Sequence, residues 1–351
     1  MIEAIAFALV LVIDAAYILV LVSISMPAEK PVVKKLPKIS VIIAAREGKI
    51  VEKTLRMLKK IKGIKLEIIV AASDPTTLKI AKKYARVVKD RGVGKGAALN
   101  IAVRKATGKI LYFLDEDMVV RKGTIQKVCS ALNGNEIAVG YNLAENKDGL
   151  VVRVARLYLA ALTKMQFGIY RLIGTTFVAG RNFAIYKKTL NKAGNFRNVL
   201  TEDLDLSFRL FARHRKVKFV HAGARDQAPS RFVWYIKQQQ RWNVGASHAL
   251  KAWKKEFHHH DLSILIFIVL VSLVPLASLA FLVLALAFKS YLFLSVVVLC
   301  FLICLSSSTI LDRDEIALVP ATFLLLIVVQ SFAIIYSAVA KPKGWYRTPK
   351  K

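Results

Sequence analysis

Three carboxylates stand side by side in YFLDEDMVV (112–120): Asp115, Glu116 and Asp117. They close the apolar run 110–114, and adjacent like charges are costly to ionise together unless something positive sits among them. Two acids one residue apart can hold a divalent cation that bridges two phosphates, since Mg²⁺ is content with one or two carboxylates plus substrate oxygens. A solvated loop is the plainer alternative. Asp203, in TED (201–203), is a further candidate, though Glu202, Asp203 and Asp205 also suit the first turn of a helix. In QQQRW (238–242), Arg241 could neutralise a departing diphosphate and Trp242 offers a face for a sugar ring or an aromatic to stack on. An interface helix would use the same residues. HHHD (258–261) reads as interfacial rather than metal-binding.

The elements that must position these groups follow a regular alternation. Apolar runs of strand length occur at 39–45, 66–72 and 110–114, with a shorter one at 86–89. Helical spacing fills 49–61, 76–85 and 95–106 between them. Continuous apolar strands, each followed by a helix, predict a doubly wound α/β domain with a mostly parallel sheet covered on both faces. Such sheets bind ligands beyond the carboxyl ends of their strands. Glu47, Asp74 and residues 115–117 all fall at such ends. DRGVGKG (90–96) leads into a helix carrying Lys95 at its start, a geometry that favours an anionic group. Farther on, 177–190 reads as loop, short strand and helix start, and 201–214 as a Thr-capped helix. Segment 232–257, aromatic- and Lys-rich, predicts an amphipathic helix lying on a bilayer surface.

Charge is segregated along the 351 residues. The chain carries a formal +31, yet residues 1–26 contain no Lys or Arg. The stretch 27–261 holds 47 basic and 18 acidic residues. Apolar segments at 4–22, 262–288, 291–311 and 316–340 are each long enough to span a bilayer. The first lacks a basic leader region and a small-residue cleavage site, so it reads as an anchor. Five regions result: a transmembrane helix (1–26), a soluble domain (27–231), an interfacial region (232–261), about three further spans (262–340) and a basic tail (341–351). Lys30, Lys34, Lys35 and Lys38 put the domain on the cytoplasmic side of a multi-pass cell-membrane protein. The Lys-rich surface suits anionic lipid headgroups. Asp14 lies in mid-span, where a helix–helix or lipid-facing contact near polar groups is favoured over catalysis. Three cysteines imply packing and no disulfide framework.

The order of these pieces is specific. An acid follows the second strand, DxD follows a later one, and TED and QxxRW precede the last apolar segments. Over 38–260 the chain resembles the membrane-bound family 2 glycosyltransferases, the group of cellulose, chitin, hyaluronan and glucosylceramide synthases. The resemblance rests on VIIAAREGKIVEKTL, EIIVAASD, GKGAALNIAVRKATGKILYFLDEDMV, GRNFAIYKKTLNKAGNF, TEDLDLSFRL and QQQRW. It implies a GT-A fold. Glu47 and Asp74 would contact the nucleoside of a UDP-sugar, with Lys95 near the nucleotide. Asp115 and Asp117 would form the DxD pair, Asp117 holding Mg²⁺ or Mn²⁺ on the diphosphate. Asp203 would be the general base. Glu202, Gln238 and Trp242 would line the acceptor side, and Arg241 would face the diphosphate. The acceptor would be a carbohydrate or a lipid, and a private polymer channel would require a homo-oligomer. Where relatives commonly have PARNE this chain has AAREG, and PTT follows Asp74 in place of a Gly-Ser-Thr run. These departures touch nucleotide contact more than reaction class. The competing reading is a basic, membrane-anchored binder of nucleic acid or acidic polymer; acids at strand ends argue against nucleic acid as the partner.

Overall fold

A computed structural model describes residues 2–25, 35–121, 123–132, 137–256, 274–309, 311 and 316–340. The predicted alternation is present. Strands β1 (Ile39–Ala45), β2 (Leu66–Ala72), β3 (Arg86–Lys89) and β4 (Ile110–Asp115) are parallel, separated by α2 (Gly48–Lys59), α3 (Pro75–Ala81) and α4 (Lys95–Lys105). Successive side chains of a strand point to opposite faces. Ile39, Val41 and Ile43 therefore join one apolar core, while Ile42, Ile69 and Phe113 join the other. This double burial explains why the strands read as unbroken apolar runs.

The chain continues through β5 (Val119–Val120), α5 (Thr124–Ser130), β6 (Ile137–Ala144), α6 (Leu150–Ile173), β7 (Phe183–Tyr186), α7 (Lys187–Lys192), α8 (Glu202–Phe211), β8 (Val217–Asp226) and α9 (Phe232–Glu256). Among the described residues the sheet has the order β3-β2-β1-β4-β7-β6-β8-β5. β7 is antiparallel to both β4 and β6. Its first residue, Phe183, sits opposite Phe113 with the rings stacked at 4.7 Å. The reversal matters for chemistry, because the loop entering β7 arrives at the same edge as the carboxyl end of β4.

Helix α1 (Ile2–Ser25) and the apolar helices α10 (Val274–Phe288), α11 (Tyr291–Ser308) and α12 (Val319–Val339) pack together with α6 in one cluster that includes Tyr17, Leu157, Val296 and Phe323. Packing therefore runs across the expected boundary at 231/232, since α6 belongs to both the sheet domain and the apolar helices. Among the described residues one helix, α12, is long and apolar enough to cross a membrane; 10–25, 275–288 and 293–308 are shorter apolar helices. Asp14 accepts a hydrogen bond from Ser295 Oγ of α11 at 2.6 Å, a helix–helix contact, the first of the two alternatives expected of it. All three cysteines are free and buried. The HHHD tract, the basic tail and Lys30 and Lys34 lie outside the described residues.

The surface position expected for α9 is not what its packing shows. Ala249 and Trp253 enter the sheet-side core, where Trp253 lies 6.3 Å from the Phe208 ring of α8. On the other side the Tyr235 hydroxyl accepts from Gln330 Nε2 of α12 at 2.6 Å, and Gln240 donates to the Ala340 carbonyl. Only a strip including Ser247, His248, Lys251 and Lys254 is exposed in its second half. The Lys-rich pattern marks one narrow solvent strip on a helix wedged between two layers.

Candidate active site

At the carboxyl edge of the parallel strands lies a cavity of about 250 Å³. It gathers Glu47, Lys95, Asp115, Asp117, Glu202, Asp203, Gln238, Arg241 and Trp242 from segments spread over nearly two hundred residues. Its walls carry seven carboxyl groups (Glu47, Asp90, Asp115, Glu116, Asp117, Glu202, Asp203) against four cationic ones (Arg46, Lys95, Arg181, Arg241). In a chain of net charge +31 this is a local inversion.

The repulsion posed by the DED triplet is answered by lysine and arginine. Lys95, first residue of α4, places Nζ 2.7 Å from Asp115 Oδ1 and 3.1 Å from Glu202 Oε1. Burial opposes its charge, but Asp115 and Glu202 outweigh that and hold the ammonium above its ordinary range. Arg181 pairs with Asp226 at the end of β8 and lies 3.7 Å from Asp115 Oδ2. Asp117 is buried, with Oδ2 accepting from Gln227 N at 3.2 Å. Glu116 faces away from both: its Oε2 accepts the backbone N–H of Arg46 at 2.7 Å and of Glu47 at 2.8 Å. Thr54 of α2 donates to the Glu116 and Met118 carbonyls, so the acidic turn is clamped to the β1–α2 loop.

Asp203 stands in the first turn of α8. Thr201 occupies the N-cap position, but its hydroxyl makes no capping bond. Burial first, and then the neighbouring Glu202 charge, push the Asp203 carboxyl up to about 6, with Lys95 pulling the other way. Gly180 lies directly against it. Its φ is +65°, and a Cβ there would fall 2.7 Å from Asp203 Oδ2. The next residues hold this loop. Asn182, fully buried with φ of 54°, accepts from Tyr112 Oη at 2.5 Å and donates to the Tyr141 and Ala222 carbonyls at 2.9 and 3.0 Å. Its amide thereby ties β4, β6 and β8 together and fixes where Gly180 and Arg181 project.

Asp74 is the expected residue that the fold does not bring into the cavity wall. It stands at the end of β2 and caps α3, with Oδ1 accepting from Thr77 N at 2.7 Å. Asp90, at the end of β3, lines the wall instead. Arg181, Asp226 and Tyr158 were not singled out from sequence. GRN gave the first a signal, as a cation beside an αL-prone Gly, but β7 must reverse before Arg181 meets Asp115. Trp242 stacks against Tyr158 of α6, centroids 6.4 Å apart and planes at 24°.

The donor set suits a hard divalent cation, as the carboxylates of Asp115 and Asp117 in one cavity match oxygen-preferring Mg²⁺ or Mn²⁺. Among the described residues no group of three or more His, Cys, Asp or Glu side chains forms a self-sufficient cage. Phosphate oxygens would complete the coordination.

Comparison with known solved structures shows likeness in fold. Over 97% of this chain and 98% of the other, the structure is similar to that of the mannosyltransferase PcManGT from Pyrobaculum calidifontis, solved in complex with GDP-Man and Mn²⁺ (TM-score 0.62, 17% identity). A lesser likeness, with TM-score 0.45 and 19% identity over 62% of this chain and 80% of the other, is to glucosyl-3-phosphoglycerate synthase from Mycobacterium tuberculosis. No curated protein matches the chain in sequence. The family model described as "Glycosyltransferase like family 2" matches residues 37–245, which is more than half of the chain and spans every acid and cation of the cavity, so the protein belongs to that family and carries its GT-A-like α/β fold.

Proposed function

We propose that the protein is a membrane-embedded, inverting glycosyltransferase that moves a sugar from a nucleoside diphosphate sugar to an acceptor oxygen. One observation carries the reading: Asp203, the acids Asp115 and Asp117, and the cations Lys95, Arg181 and Arg241 line a single cavity. A hydroxyl nucleophile needs a carboxylate within hydrogen-bond reach, and Asp203 is the carboxylate whose raised affinity for protons suits that role. A diphosphate leaving group needs positive charge where its own charge develops, which Lys95, Arg181 and Arg241 supply. Mg²⁺ or Mn²⁺ held by Asp117 and Asp115 would add Lewis-acid neutralisation of the diphosphate. One base and one displacement invert the anomeric centre, giving a β-linkage from an α-linked donor. Glu47 is assigned to the nucleoside, Glu202, Gln238 and Trp242 to the acceptor side. Membrane embedding is supported by apolar side chains at least half exposed on α1 (Leu11, Val12, Ile18, Leu19) and on α12 (Leu324, Val328, Phe332, Ile335). With the domain cytoplasmic, donor would be drawn from the cytosol.

The test is release of nucleoside diphosphate by purified protein across UDP- and GDP-sugars, with Mg²⁺, Mn²⁺ or chelator. Activity with at least one donor, abolished by chelator and by Asp117→Ala, is expected. Asp203→Asn should bind donor yet transfer nothing to a hydroxyl. Absence of turnover with every donor, together with salt-sensitive nucleic-acid binding, would favour the non-catalytic reading.

A further inference from the structure

A second cavity, of about 60 Å³, lies among α1, α6, α11 and α12. Its wall is carbon-rich, including Val20, Ala161, Met165, Ile303, Phe323 and Leu326. The one amide there, Gln330, already spends its Nε2 on Tyr235. Tyr158 and Leu162 of α6 line both this cavity and the acidic one. The acidic cavity also has an apolar wall of its own, formed by Leu159, Phe177, Val178 and Leu204. Charged groups and hydrocarbon thus lie on the two sides of Tyr158 and Leu162, and the Tyr158 ring stacks on Trp242.

This arrangement constrains the acceptor. A sugar chain is held by hydrogen bonds to its many hydroxyls, and a carbon-rich space between apolar helices offers few partners for them. Hydrocarbon gains by entering such a space, because apolar surface leaves water. Resting on the glycosyltransferase reading above, we infer that the acceptor is an amphipathic lipid, with its head oxygen at Asp203 and its tail passing Tyr158 and Leu162 into the cavity between the helices. The acceptor oxygen forms a bond to the anomeric carbon. The bond from that carbon to the diphosphate oxygen breaks, and its electron pair leaves with the nucleoside diphosphate. A hydroxyl head gives its proton to Asp203; a phosphate head attacks already ionised.

The experiment compares heads with and without tails: dioleoylglycerol against glycerol, and farnesyl phosphate against inorganic phosphate, with cellotetraose as a soluble sugar. Product is expected on a tailed acceptor at concentrations at least about a hundredfold below those its tail-less counterpart needs, and the active pair tells alcohol from phosphate. Equal use of the tail-less heads, or preference for cellotetraose, would overturn the inference. Ala161→Phe fills the cavity and should lower transfer to the tailed acceptor at least about tenfold, leaving hydrolysis of donor by water unchanged. Ile303→Ala enlarges it and should shift preference toward bulkier tails; this variant carries the test if the first fails to fold. Unaltered tail preference in a folded variant would refute the seat. A tail-brominated lipid should quench Trp242 fluorescence, a signal lost in Trp242→Phe and reduced in Ala161→Phe. Quenching reads tail binding without turnover, so failure of the donor chemistry and failure of the lipid seat give different results.

Discussion

Glu116 accepts hydrogen bonds from two successive backbone N–H groups, those of Arg46 and Glu47, so the middle acid of the DED triplet builds the loop that its neighbours face. Its carboxylate is a positioning group. Hydrogen bonds to a charged acceptor contribute about 1.5–3 kcal/mol each. Glu116→Ala should therefore raise the KM for donor by about tenfold or more with a much smaller change in kcat, and Glu116→Gln, which keeps one acceptor oxygen, should recover part of the loss. Donor titration by calorimetry beside steady-state kinetics checks this; a pure kcat effect would contradict it.

The pH profile should report Asp203. A base pushed up to about 6 is active when ionised, so kcat/KM with a hydroxyl acceptor should fall below pH 6 as the carboxyl takes up its proton. Glu202 raises and Lys95 lowers that proton affinity. Glu202→Gln should accordingly move the acidic limb to lower pH and Lys95→Met to higher pH. Profiles of the three proteins that superimpose would exclude Asp203 as the titrating group.

The same carboxyl should cost stability. Its folded affinity for protons exceeds the ordinary value of 3.8, so its favourable share is fully present below that value and lost as pH rises through about 6. Asp203→Asn, which cannot ionise, should be more stable than the parent at pH 7.5 by at most about 3 kcal/mol, the advantage vanishing toward pH 4. Thermal unfolding at the two pH values measures it.

Gly180 should tolerate no side chain. Ala at φ +65° is strained, and its Cβ would fall 2.7 Å from Asp203 Oδ2. Gly180→Ala should reduce kcat at least about a hundredfold, as misplacement of a reacting group by about 1 Å can do. Circular dichroism should remain native, because Asn182 still anchors the loop.

Much of this site was legible from local pattern. The runs 39–45, 66–72 and 110–114 became strands within a residue of their expected limits, because strands buried on both faces must be largely apolar; 86–89 became the short edge strand, partly buried only at its two valines. Acids at their ends then fell on one edge by topology alone. Arg181 was not legible, since its partners Asp115 and Asp226 are set by the direction of β7 and the place of β8, which no local spacing encodes. Helix α9 was misplaced for a related reason: its amphipathic pattern gives the width of the exposed strip but not the identity of what covers the rest. Asp74 shows the limit of strand-end reasoning, as a carboxylate at the right edge can be occupied in capping the next helix.

The charge inversion between cavity and envelope has a kinetic consequence. A strongly basic surface speeds the approach of an anionic sugar nucleotide and slows that of a bare dication, whereas the acidic hollow exerts the opposite pull once screening distance is crossed. Far from the protein, chelate and nucleotide travel well together and the free ion travels poorly. Near the end of the path the acids compete for the ion and the three inner cations for the phosphates. The encounter is thereby divided into a long-range stage that salt can suppress and a short-range stage that it barely touches, so ionic strength should act on the rate of capture and leave the turnover of bound donor nearly constant.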